Sequence, residues 1–184
     1  GEDISHSPAW KRIDAGLRYV PAERKKRGVA SDLSIAENSI LKNYRAAPYS
    51  AHGILKPEAI RQFAKKLVTQ YDVRCSSIDT LVGTLSGGNM QKLLLAREAA
   101  ENSCLLVVEH PTQGLDIGAI ESVRRMLLDK RDEGTAILLI SADLDEVLEL
   151  SDRIIVMYEG TAVYECRQNE IDREIIGLAM AGLN

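Results

Sequence analysis

The residues best suited to chemistry stand close together. Ser86-Gly87-Gly88-Asn89-Met90-Gln91-Lys92 begins 23 residues before Glu109, which closes the apolar run Leu105-Leu106-Val107-Val108. His110-Pro111-Thr112-Gln113-Gly114-Leu115-Asp116 follows at once. A serine and two glycines opening a helix suit an anion. The hydroxyl can donate, the bare glycines admit close approach, and free N–H groups with the helix dipole attract negative charge. A plain N-cap after a loop reads the same way. Glu109 stands at the carboxyl end of a buried strand, where open α/β sheets bind ligands and a carboxylate can reach Mg2+. A strand-end acid turned to solvent is the other reading. Together these pieces suggest machinery for a nucleotide phosphate, yet the chain contains no G-x-x-x-x-G-K-[ST] loop.

The elements that must position these residues follow from periodicity and caps. Leu17-Arg18-Tyr19-Val20 reads as a short strand ended by Pro21. Ser34, with Glu37 three residues on, predicts a capping box and a helix to about Asn43. Residues 44–53 read as loop, and Pro57 opens a helix to about Tyr71. Ile60, Phe63, Ala64, Leu67 and Val68 form one buried stripe on it. Further helices are predicted at 87–101, 117–132, 143–150 and 169–181, with Gly134 ending the second of these. Strands are predicted at 104–109, 136–140 and 154–157, and Gly160 turns 154–165 into a hairpin. Continuously apolar strands at 104, 136 and 154, alternating with helices, predict an α/β chain with a parallel sheet covered on both faces. Three regions result: a core remnant at 1–33, a helical subdomain at 34–83, and the main core at 84–184.

Composition narrows the function. A chain of 184 residues can form one domain that buries roughly 70% of its unfolded surface. A net charge of −4 and the lack of a basic stripe argue against nucleic acid as a partner. Arg24-Lys25-Lys26-Arg27 reads as a solvated turn before Gly28. Cys75, Cys104 and Cys166 lack C-x-x-C spacing and read as reduced thiols, with Cys104 a small core residue. Asp143, Asp145, Glu146 and Glu149 read as a solvated helix face, and Trp10 as a packing anchor or a stranded core residue. The first residue is Gly1, so the chain reads as an excised or processed piece.

These motifs, in this order, resemble the later part of an ATP-binding cassette (ABC) ATPase domain. Thr84 to Lys92 is similar to the family signature, Leu105 to Thr112 stands at the Walker B position, and Gln113 to Asp116 matches the D-loop. Tyr19-Val20-Pro21-Ala22-Glu23-Arg24, Ser34-Ile35-Ala36-Glu37-Asn38 and Asn89 resemble the second ATPase half of tandem-cassette subunits in sugar and nucleoside importers. Asp72-Val73-Arg74, Gly118-Ala119-Ile120-Glu121 and Leu178-Ala179-Met180-Ala181-Gly182 lean toward the nucleoside branch. The resemblance covers about residues 15–183. It implies a P-loop NTPase-like fold whose first strands and Walker A loop would precede residue 1. Loss of those strands would expose sheet edge and apolar surface, which a homodimer of the piece would cover.

The resemblance also implies roles. Ser86, Gly87, Gly88, Asn89, Gln91 and Asp116 would contact an ATP seated on another ATPase half, or on a second copy. Glu109 would hold Mg2+. His110 occupies the place of the catalytic glutamate, Ala142 that of the switch histidine, and Ala22 lies near that of the Q-loop glutamine. Histidine can in principle serve as a base at 110, the other reading being a spent site, while alanine at 142 and 22 can neither bond a γ-phosphate nor orient water. The pattern implies one working site and one resting site. A permease would dock on the helical subdomain through the loop Tyr44–Leu55, with Tyr44, Pro48 and Tyr49. The subunit would lie on the cytoplasmic face of the membrane. The alternative is a degenerate half with a structural or regulatory role. A DNA-repair ATPase head, which also carries a Ser-Gly-Gly helix, is disfavoured by the acidic charge and the lack of heptad arms.

Overall fold

The computed structural model describes residues 3–100 and 103–183. The chain divides into two compact units, Gly1–Ile140 and Ser141–Asn184. The boundaries expected at 33/34 and 83/84 fall inside the first. Gly1 and Glu101, the expected end of one helix, lie outside the described residues.

The first unit begins with α1 (Ala9–Asp14) and β1 (Leu17–Val20), then a π-helical turn, Arg24–Gly28. Next come α2 (Ile35–Ser39), the strand pair β2 (Ser50–Ala51) and β3 (Ile54–Leu55), and α3 (Pro57–Gln70). The unit ends with α4 (Gly87–Ala99), β4 (Leu105–Glu109), α5 (Ile117–Asp132) and β5 (Ala136–Ile140). Ser34 and Glu37 close the expected capping box, but α2 stops at Ser39. Asn38 is fully buried. It accepts from the Ala30 N–H and donates to the carbonyls of Ala30, Leu33 and Ser34, pinning the loop before the helix.

The parallel sheet has the order β1-β4-β5. Tyr19 stands opposite Val107 and Val20 opposite Val108, while Val107 and Val108 stand opposite Leu138 and Leu139. The third parallel strand is therefore 17–20, a correction to the expected strand at 154. The sheet is also not covered on both faces. Leu106 and Val108 are fully buried, but Tyr19, Leu105, Leu138 and Ile140 on the other face are exposed. Cys104 is exposed as well, a second correction: it precedes β4 instead of joining the core.

Helix α4 is buried all round, as expected of a helix inside a fold and not on its surface. Met90, Leu94 and Ala96 are fully buried, and even Gln91, Lys92, Arg97 and Glu98 are covered. It packs against α2, α3, α5 and β1. Ile35, Leu67, Val73, Val82, Met90 and Leu93 share one core. The stripe on α3 is internal as expected, with Ala64 and Leu67 buried and Phe63 tilted on Tyr49 at 5.1 Å. Tyr49 itself is buried, which removes it from the expected docking loop, while Tyr44, Pro48, Ile54 and Leu55 remain exposed.

The second unit holds α6 (Leu144–Leu150), β6 (Arg153–Tyr158), β7 (Thr161–Arg167) and α7 (Arg173–Met180). β6 and β7 pair antiparallel across Glu159-Gly160, whose positive φ values of 45° and 80° suit a tight hairpin turn. Ile154, Val156, Cys166, Ile176 and Ala179 form its core. Glu146 is 1% exposed, so the acidic face of α6 is not wholly solvated. Among the described residues no helix is long and apolar enough to cross a membrane.

Candidate functional site

Ser86 caps α4. Its Oγ accepts from the Asn89 N–H at 3.3 Å and from Asn89 Nδ2–H at 3.0 Å. Ser86 is exposed and Gly87 half-buried. Gly88 is buried against α5, where a β-carbon would lie 2.7 Å from Ala119 Cβ. The two glycines thus differ: Gly87 is open to a ligand, while Gly88 lets two helices meet. Gln91, 1% exposed, sits inside the fold and not on the lip. Asp116 caps α5, accepting from the Ala119 N–H at 2.9 Å.

Arg24 joins these pieces. Its Nη2 donates to the Gln113 carbonyl at 2.9 Å and lies beside the Cα positions of Gly87 and Gly114. Partial burial lowers the pKa of its guanidinium from the usual value. Nothing in the basic run 24–27 separated this arginine from its neighbours. Only the tertiary fold does, because Arg27 and Lys26 turn to Glu23 instead.

Glu109 closes β4 on the exposed face of the sheet. Pleating puts Tyr19, Val107 and Glu109 on that face, and Tyr19 is diagonal to Glu109 in the parallel register. The Tyr19 hydroxyl donates to Glu109 Oε2 at 2.8 Å, and the Ala22 N–H donates to the same oxygen at 3.4 Å. The bond to Glu109 raises the Tyr19 pKa above its ordinary value. Tyr19 lies in the motif at 19–24, which gives it no role at the site. Its signal was alternation, an aromatic residue two places before Pro21 on the strand next to Glu109. Ala22, whose side chain has no polar group, reaches the site through its backbone.

His110 takes a left-handed φ of 43°, and its N–H donates to the Ile140 carbonyl at 2.8 Å. Such backbone is sparsely populated for a non-glycine residue and is often found at functional turns. Ala142 is exposed and belongs to the second unit. Among the described residues no three His, Cys, Asp or Glu side chains are grouped to hold a metal. Glu109 is a single carboxylate whose Oε2 already accepts from two donors.

No protein-family model matches the chain. It is 45% identical over 99% of its length to the glucose import ATP-binding protein of Haloferax volcanii. Identity is 41% to the guanosine import ATP-binding protein of Bacillus subtilis and 37% to a ribose import ATP-binding protein of Rhodococcus jostii, each across 99% of the chain. The chain spans about a third of the length of these curated relatives, 34–36%. Among solved structures, a nucleotide-free ATP-binding cassette from an ABC transporter matches with a TM-score of 0.74 at 21% identity, over 97% of this chain and 70% of that one. A dimeric cassette in a post-hydrolysis state with ADP and Pi matches with a TM-score of 0.67 at 20% identity, over 83% of this chain and 62% of that one. The chain is therefore homologous to part of the sugar and nucleoside import ATP-binding proteins, and its α/β, P-loop NTPase-like fold is that of the ATP-binding cassettes.

Proposed function

We propose that this chain forms part of the ATP-binding, ATP-hydrolysing subunit of an ABC importer for sugars or nucleosides. Within it, Ser86 and Gly87 face an ATP and Mg2+ held by another ATPase half, either of the same subunit or of a second copy. The observation that carries this reading is the exposed cap of α4: Ser86 and half-open Gly87 at a helix start, braced by Arg24 and the turn at Gln113-Gly114. Gly88 and Asp116 shape that lip by packing α4 on α5. The site at Glu109 and His110 is the resting one, a structural or regulatory partner to the working site. Its carboxylate is engaged by Tyr19 and Ala22, and the usual glutamate is a histidine on a left-handed turn.

The helical part, through exposed Tyr44, Ile54 and Leu55, meets the permease at the cytoplasmic face of the membrane. Relatives named for glucose, ribose and guanosine import support both solute classes. The test is made in the intact ATP-binding subunit. Ser86→Arg lowers ATP hydrolysis at least tenfold, while His110→Glu leaves it within about twofold. A large gain from His110→Glu together with indifference to Ser86→Arg would overturn the assignment.

A further inference from the structure

We infer that Asn89 is a positioning residue that fills both acceptor positions of the Ser86 hydroxyl and so dedicates its proton to a phosphoryl oxygen. This rests on the reading of Ser86 as a phosphate contact and adds to it a cause.

The orientation of the Asn89 amide follows from its neighbours. The Arg74 N–H points at one branch of the amide from 2.8 Å. A backbone N–H can only donate, so that branch is Oδ1. Nδ2 then takes the other branch, 3.0 Å from Ser86 Oγ, and donates to it. The Asn89 backbone N–H donates to the same oxygen at 3.3 Å. A hydroxyl has two lone pairs and one proton. Both lone pairs are taken, and no acceptor for the proton lies among the described residues. Ser86 is exposed, so the O–H points outward as a donor. Two donors acting on one oxygen also polarise the remaining O–H. Such a hydroxyl donates to an anionic oxygen and has no lone pair left for an ammonium or a metal ion.

The brace reaches into the helical layer. Arg74 follows α3, and Lys92 of α4 holds Asp72 there, Nζ donating to its carbonyl at 3.1 Å and to its carboxylate at 3.0 Å. Two side chains of one helix, Asn89 and Lys92, thus grip residues 72–74. Displacement of that segment from α4 would free the amide and release the serine.

Asn89→Asp is the decisive variant. One carboxylate oxygen still accepts from the Arg74 N–H, while the other accepts the Ser86 proton and turns it inward. Asp also suits the first turn of a helix, so the fold is kept. The assay is equilibrium binding of Mg·ATP to the intact ATP-binding subunit, with thermal unfolding measured beside it. Asn89→Asp raises half-saturation at least tenfold, as Ser86→Ala does, with no loss of thermal midpoint. The double variant is no worse than Ser86→Ala alone, because Asn89 acts through the hydroxyl. If Ser86→Ala weakens binding but Asn89→Asp does not, or if the two effects add, the role of Asn89 is refuted and that of Ser86 stands. If Ser86→Ala changes nothing, the phosphate reading falls and this inference with it.

Discussion

Gly88→Ala places a methyl group where two helices already touch. The new carbon would lie 2.7 Å from Ala119 Cβ, in a buried contact between α4 and α5. Carbon atoms rest at about 3.5–4.0 Å, so the helices must part by roughly 1 Å. Overpacking of this kind costs about 1–3 kcal/mol. Alanine in a helix offsets about 0.8–1 kcal/mol of that relative to glycine. The net loss is about 1 kcal/mol, and up to about 2. For a chain of this size that lowers the thermal midpoint by about 2–8 °C. Gly87→Ala is the internal control. Its nearest neighbour would be Arg24 Nη2 at 3.7 Å, ordinary contact, so stability holds or rises by up to about 1 kcal/mol. Thermal unfolding followed by circular dichroism separates the two. Ala119→Gly in the Gly88→Ala background removes the overlap, and the double-variant cycle returns a coupling of about 1 kcal/mol or more. Equal midpoints for Gly87→Ala and Gly88→Ala, with no coupling to Ala119, would refute the close approach of these helices.

Two further outcomes follow from buried and bonded charge. Arg97 and Glu98 are both buried, Arg97 donating to Glu98 Oε1 at 2.6 Å and to the Gly28 carbonyl at 2.8 Å. Arg97→Met strands the carboxylate and costs about 3–5 kcal/mol in urea unfolding, while adding Glu98→Leu recovers most of it. The Tyr19 proton is retained above the ordinary tyrosine range because Glu109 accepts it. Its contribution to stability is complete below about pH 10 and is lost as pH rises through the folded-state value. Ultraviolet titration of tyrosinate shows this late-titrating group, and Glu109→Gln moves it back toward the ordinary range.

The chain's order of elements was legible without a structure, because caps and periodicity act over three or four residues. Ser34 with Glu37, Ser86 before Gly87, and the strands ending at Glu109 and Ile140 all stand where local pattern put them. The order of those motifs also carried the cassette fold. What local pattern could not supply was which distant segments meet. The third parallel strand is 17–20, paired with a strand nearly ninety residues on, so Tyr19 reaches Glu109 only through the register. Cys104 and Glu146 went the other way from their type, one outward and one inward. Gln91 looked like a ligand residue and lies inside a helix covered on every side.

The residue types of the lip, a serine and a glycine at a helix start, were set by the sequence alone, since a cap needs only its own next turn. Tertiary structure decided which glycine stays open, which way the Asn89 amide points, and which arginine braces the turn at Gln113. Each of those depends on a partner far along the chain, Ala119, Arg74 or Gln113, brought near only when the helices and sheet close on one another.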